Sequence, residues 1–184
     1  MDFKKAEGGK GVSMLSHAAK LCDSASILRT DFFSVSCSRR AKLSRNRAFQ
    51  PRAMRAVVQR VSSASVEVEG KVVSEIGPGL LVLLGLHDSD SDTDAEFICR
   101  KVLNMRLFQN EASGKGWDQN VMQRNYSVLL VSQFTLYGVL KGNKPDFHVA
   151  MPPERAKLFY QSVVERFRKS YNLDAVKERV ALVF

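Results

Sequence analysis

The first 53 residues carry no sustained apolar period, and the texture changes at Met54. Arg55-Ala-Val-Val-Gln-Arg-Val61 is rich in β-branched residues and reads as a strand. Ser65 to Glu75 alternates apolar and polar positions around Glu69-Gly70, the pattern of a hairpin. Gly77-Pro-Gly79 is a turn, and Leu80-Leu-Val-Leu-Leu-Gly-Leu86 follows as a strand covered on both faces. Ala95, Ile98, Val102 and Met105 then recur at helical spacing on one face. Arg106-Leu-Phe-Gln-Asn110 reads as another short strand, residues 111–116 as a turn-rich loop, and Ser127-Val-Leu-Leu-Val-Ser132 as a second buried strand. Pro152-Pro153 opens a last helix, where a missing N–H costs nothing. Ala156, Tyr160, Val163 and Phe167 line its core face, with Arg166, Arg168 and Lys169 near the end where cations suit the helix dipole. No internal repeat is visible, and strands with two main helices predict a single α/β domain.

Composition narrows this picture. A chain of 184 residues, 45% hydrophobic, buries one core and is too short for two comfortable domains. The longest apolar run is far too short to span a bilayer, so no membrane association is expected. The net charge of +9 is unevenly spread: residues 1–53 hold 11 Lys/Arg against 4 Asp/Glu, and residues 54–184 hold 17 against 15. A nucleic-acid reading must therefore rest on local patches of the folded body. With eight serines besides, residues 1–53 are expected to be a disordered basic extension, dispensable for folding. The alternative, an organelle transit peptide, is weakened by Asp2, Glu7, Asp23 and Asp31. Cys22, Cys37 and Cys99 are odd in number and lack metal-ligand spacing, and Cys99 reads as a small buried hydrophobe. A reducing, cytoplasmic compartment is expected, with no disulfide.

Familiar catalytic devices are absent from the sequence. It contains no H-E-x-x-H, no G-x-S-x-G elbow, no P-loop and no G-x-G-x-x-G after a strand, so neither metal nor cofactor is expected. The acidic run Asp88-Ser-Asp-Ser-Asp-Thr-Asp94 offers oxygen ligands, but the sixth and twelfth places of a calcium loop would hold Thr93 and Cys99. A helix N-terminus fits these carboxylates better. Two polar clusters remain. Ser132-Gln-Phe-Thr-Leu-Tyr-Gly138 emerges from a buried strand, and strand ends of α/β sheets often bind ligands, although such groups can also merely satisfy a turn. Gly142-Asn-Lys-Pro-Asp-Phe-His-Val-Ala-Met151 offers Lys144 as a cation and Phe147 as an aromatic face, a combination suited to a phosphate and a stacked base. The competing reading is an ordinary loop with Phe147 packed inward. His148 is a possible general base, but with no carboxylate beside it in sequence it reads as structural.

Taken together, Met54-Arg-Ala-Val-Val-Gln-Arg-Val61, Gly77-Pro-Gly-Leu-Leu-Val-Leu-Leu-Gly85, Ser132-Gln-Phe-Thr-Leu136 and Gly142-Asn-Lys-Pro-Asp-Phe147 closely resemble D-aminoacyl-tRNA deacylases. The four motifs stand in that family's order over about 125 residues. The resemblance implies a barrel-like domain of mostly antiparallel sheet with two helices, paired as a homodimer with its sites at the interface. It implies hydrolysis of the ester joining a D-amino acid to tRNA, without cofactor and assisted by the ribose 2′-hydroxyl of the substrate. Ser132, Gln133 and Thr135 would form one wall of the site and stabilise developing charge. Gly142, Lys144 and Phe147 would receive the terminal adenosine, and Arg60 would brace a Gly-Pro loop arriving from the partner subunit. The family's late Asn-x-Gly-Pro-Val-Thr segment does not occur here, and the one Gly-Pro is Gly77-Pro78. The resemblance therefore predicts a C-terminally truncated domain over residues 54–184 with weakened activity and chiral selection. A DNA- or tRNA-binding protein of the same fold, without efficient deacylase activity, is the alternative function.

Overall fold

The long apolar run becomes the middle of a sheet. The computed structural model describes residues 32–36 and 54–179, which form, in chain order, β1 (Phe32–Ser36), β2 (Arg55–Val61), β3 (Ala64–Val68), β4 (Lys71–Ile76), β5 (Gly79–Gly85), α1 (Asp92–Asn104), β6 (Ser127–Ser132), a 3₁₀ turn (Phe134–Tyr137), β7 (Val139–Lys141), β8 (Lys144–Asp146), α2 (Pro153–Ser170) and β9 (Val176–Arg179). Five strands make one sheet in the order β1-β2-β5-β6-β9, while β3-β4 and β7-β8 are separate hairpins. β2 runs antiparallel to β1 and β5; β6 runs parallel to β5 and β9. Those parallel pairs follow from connectivity, since α1 links β5 to β6 and α2 links β6 to β9, and parallel neighbours need a crossover. The sheet among the described residues is thus open and mixed rather than barrel-like. The mostly antiparallel expectation holds for the hairpins and β1-β2-β5, and the crossover helices overrule it on the other side.

Side-chain alternation sorts the sheet into two faces. Ala56, Val58, Leu80, Val82, Leu84, Val128 and Leu130 are buried against α1 and α2, with Ile98, Val102, Tyr160, Val163 and Phe167 opposite. Leu81, Leu129 and Val131 face the other way, onto Ala64, Val66 and Ile76 of the β3-β4 hairpin. Each fully buried Leu or Val contributes about 1.5–3 kcal/mol relative to an exposed one, so these two layers hold the fold. The hairpin turns at Glu69 and Gly70, with φ of 52° and 77°, as its Glu-Gly pair predicts. The Tyr160 hydroxyl donates to the Leu130 carbonyl at 2.8 Å and ties α2 to the sheet.

The acidic run caps α1. Ser91 is the N-cap, and Asp94 Oδ2 accepts from the Ser91 amide at 2.9 Å and its hydroxyl at 2.6 Å. The alternate aspartates diverge rather than converge. Asp88 meets Arg155 at 2.8 Å, Asp90 accepts the His87 N–H at 2.7 Å, and Asp92 meets Arg166 at 3.1 Å. Among the described residues no three potential ligands come together to hold a metal.

Two further expectations change. Residues 106–110 form no strand; Phe108 makes a single bridge to Gln119. The Asn110 side chain accepts the Ala112 N–H at 3.0 Å, and its main chain bonds Gly114 and Lys115, so an Asx turn ends the pairing at once. The second correction concerns the extension. Phe32–Ser36 pairs along β2, from Phe32↔Gln59 to Ser36↔Arg55, and Phe33 and Val35 pack on the helix-facing core. A polar neighbourhood concealed this five-residue strand, whose stability comes from the β2 edge it covers. The rest of the 1–53 segment, with Cys22 and Cys37, lies outside the described residues.

Candidate active site

β6 leaves the core at Ser132 and turns within one residue. The Gln133 N–H donates to the Leu84 carbonyl at 2.7 Å, so the chain stays bound to the end of β5 as the 3₁₀ turn begins. Within the turn the Leu136 N–H meets the Gln133 carbonyl at 3.3 Å and the Gly138 N–H the Thr135 carbonyl at 2.9 Å. Ser132 and Gln133 are half-buried and Thr135 is exposed. Gln133 Nε2 donates to Thr135 Oγ1, which leaves that hydroxyl's own proton directed elsewhere. An amide and two hydroxyls therefore stand together at the carboxyl end of two buried strands.

The second cluster is a hairpin. β7 and β8 pair Val139 with Asp146 and Lys141 with Lys144, turning at Gly142, whose φ of 63° explains the glycine. Lys144 is exposed at the tip, and Lys141 forms an ion pair with Asp146. The Asp146 carboxylate also accepts the His148 N–H at 3.1 Å and His148 Nδ1 at 2.9 Å. The Lys141 ammonium first, then the His148 amide and ring, pull the Asp146 carboxyl down to about 2. His148 thus does have a carboxylate partner, two positions back. Residues i and i+2 of an extended segment share a side, a signal that inspection of immediate neighbours missed.

The two clusters meet through aromatic rings. Phe134 and Phe147 make an edge contact with centroids 5.1 Å apart, and a Cβ on Gly138 would stand 3.0 Å from the Phe147 ring. Phe147 is half-buried against the turn, so both of its sequence readings are partly realised: it packs inward, and it does so at the site. From behind, the Ala150 N–H bonds Phe147 and the Met151 N–H bonds Leu86, each at 2.9 Å, fixing the loop to the end of β5.

Arg60 does not join this group within one chain. Arg55 pairs with Gly85 beside the site, whereas Arg60 pairs with Leu80, roughly 16 Å further along β2. There Arg60 donates to the Leu107 carbonyl at 2.9 Å and lies 5.6 Å over Trp117, whose ring also meets Phe33 at 5.4 Å. Arg55, Phe134, Tyr137 and Asp146 are the neighbours that the sequence reading did not single out. Arg55 is separated from the turn by 81 positions, which no local pattern reveals.

The fold and this cluster define a mixed α/β protein with a polar strand-end turn facing an aromatic, basic hairpin. The family model described as D-Tyr-tRNA(Tyr) deacylase matches residues 57–180, and the chain belongs to that family. It is 50% identical over 125 residues to the D-aminoacyl-tRNA deacylase of Dictyostelium discoideum, covering 68% of this chain and 83% of that one. It is 54% identical to D-aminoacyl-tRNA deacylase 1 of Mus musculus over 125 residues, 68% of this chain and 59% of the relative. The chain thus spans under two thirds of the mouse relative's length. Among solved structures it resembles one described as c-Myc DNA Unwinding Element Binding Protein, with a TM-score of 0.64, 53% identity, and 67% and 82% of the two chains covered. A second, described as a probable eukaryotic D-amino acid tRNA deacylase, has a TM-score of 0.56 at 21% identity over 64% and 68% of the chains, and supports the fold alone.

Proposed function

We propose that this chain hydrolyses the ester bond of D-aminoacyl-tRNA, releasing D-amino acid and tRNA, at the site formed by the 3₁₀ turn and the β7-β8 hairpin. The observation that carries the reading is the Phe134–Phe147 contact, which joins the two motifs of the family resemblance into one surface. Phe147 and the exposed Lys144, on the loop shaped by Gly142, take the terminal adenosine and its phosphate. Gln133 and Thr135 orient the ester carbonyl and donate to its oxygen as negative charge develops, while Ser132 lines the strand end. The attacking water is assisted by the ribose 2′-hydroxyl of the substrate, so no side chain becomes a covalent nucleophile. The active form is a homodimer acting in the cytoplasm, in which Arg60 occupies the position that braces a partner Gly-Pro loop in the family. DNA binding is the rival activity; the deacylase names of the relatives favour hydrolysis.

Matched D- and L-tyrosyl-tRNA test this reading, with DNA filter binding alongside. The chain releases the D-amino acid at a weakened rate and with reduced preference over the L-isomer, and Thr135→Ala or Gln133→Ala lowers kcat about 10²-fold further. Because Gln133 donates to Thr135, the double variant loses much less than the product of the two. DNA binding without turnover of D-tyrosyl-tRNA would overturn the proposal.

A further inference from the structure

The 3₁₀ turn that carries Gln133 and Thr135 is held from outside by a residue at the start of β2. We propose that Arg55 is a positioning residue for the site, acting through the carbonyl of Leu136 and the ring of Tyr137; the role in turnover rests on the deacylase reading above.

The argument begins with hydrogen-bond accounting. A four-residue 3₁₀ turn has few carbonyl acceptors satisfied internally. The Gln133 carbonyl takes the Leu136 N–H and the Thr135 carbonyl takes the Gly138 N–H. The Leu136 carbonyl takes Arg55 Nη1 at 2.7 Å, a short bond from a charged donor and hence a strong one. The same guanidinium lies 4.6 Å from the centroid of the Tyr137 ring. Tyr137 is 1% exposed, and its ring meets the His87 ring edge-on at 5.2 Å. One planar group therefore grips two consecutive residues of the turn, by their main chain and by their ring.

Space for this grip comes from Gly85. Arg55 and Gly85 are direct partners across β2 and β5, and a Cβ on Gly85 would stand 2.9 Å from Leu136 Cβ and 3.1 Å from the Tyr137 ring. The missing side chain lets the turn lie on the end of β5, within reach of Arg55 from the next strand. Arg55 Nε is buried with no hydrogen-bond partner among the described residues, so the group is held at some desolvation cost. An apolar side chain would avoid that cost but could not hold the carbonyl. Lysine has the charge without the planar stacking surface or the directed fork. Arg55 makes these contacts beyond Gln133 and Thr135 in the turn, so its loss moves their groups, while the β7-β8 pairing that presents Lys144 does not depend on it.

The test uses the full chain with Arg55→Ala and Arg55→Lys. Turnover of D-tyrosyl-tRNA falls about 10- to 100-fold in kcat for Arg55→Ala, with KM within about twofold and a cooperative melt retained. Arg55→Lys recovers part of the loss. Hydrogen exchange supplies a readout independent of activity: the Gly138 amide exchanges faster in Arg55→Ala, while the amides of β5 and β6 keep their protection. Wild-type kcat in Arg55→Ala overturns the proposal, as does unchanged exchange at Gly138. If the unmodified chain fails to turn over D-tyrosyl-tRNA, the deacylase reading fails, and the exchange measurement still decides whether Arg55 holds the turn.

Discussion

Gly77 and Gly79 are two positions apart and face different surroundings. A Cβ on Gly79 would stand 1.9 Å from the Ser127 carbonyl oxygen, backbone that cannot step aside without breaking the β5-β6 ladder; one on Gly77 meets nothing within 4 Å. Gly79→Ala is therefore expected to cost about 3 kcal/mol and Gly77→Ala at most about 0.5 kcal/mol, read from urea unfolding midpoints. Equal midpoints would remove the close approach from the account of this strand. At Asp146 the prediction concerns pH. Its carboxyl, drawn to about 2 by Lys141 and then by His148, sits below its ordinary value of 3.8. The folded value being the lower one, the tie to Lys141 and His148 is complete above pH 4 and weakens as pH falls toward 2. A carboxyl-carbon titration should show a midpoint near 2, and Lys141→Ala should move it upward; a wild-type midpoint at 3.8 would mean that the hairpin is not held this way.

Among the elements, β1 departs furthest from what its sequence suggests. It adds a strand to the β2 edge and places Phe33 against Trp117, which Arg60 covers. An extension read as dispensable thus contributes a core-packed strand. Phe33→Ala should lower stability by about 1–2 kcal/mol, a fall in Tm of roughly 2–8 °C for a chain of this size. Removing residues 1–53 should cost at least as much, and should also bare the β2 edge to pairing with other chains. Differential scanning calorimetry and light scattering on both variants check this. An unchanged Tm in both would return the segment to the role of a passive tail. The α1 cap was legible for a better reason, since aspartates around a serine before an apolar period have one economical use, and the structure puts Ser91 and Asp94 to it.

For the whole molecule, charge and site are carried by different parts of the chain. Residues 1–53 bear 11 Lys/Arg against 4 Asp/Glu, while residues 54–184 are nearly balanced at 17 against 15. If the extension contributes to nucleic-acid affinity, it does so without sequence choice, through counterion release. Binding of uncharged tRNA should therefore lose affinity steeply with salt in the full chain and less steeply in residues 54–184, at a temperature where both are folded. The ratio of D- to L-tyrosyl-tRNA hydrolysis should be the same in both, because chiral choice depends on close contacts at the site. Identical salt slopes would assign tRNA attraction to the folded body.

Local pattern determined the β2 strand, the Glu69-Gly70 hairpin, the two buried strands and both helices, because each is dictated by alternation, helical period, turn glycine or proline within a dozen residues. The order of its motifs also determined the family, which the match over residues 57–180 bears out. Tertiary structure decided what local pattern cannot encode. Among the described residues it made the sheet mixed where a mostly antiparallel one was expected, since α1 and α2 cross over to parallel neighbours. It turned five residues of a polar segment into an edge strand, because the unpaired hydrogen-bonding groups of β2 supplied what their own sequence lacked. It set Phe147 on Phe134 and carried Arg55 across 81 positions to Leu136 while keeping Arg60 at the other end of the strand. The physical reason is strand register: pairing assigns each residue of β2 to one row of the sheet, and that row decides which distant turn its side chain can touch.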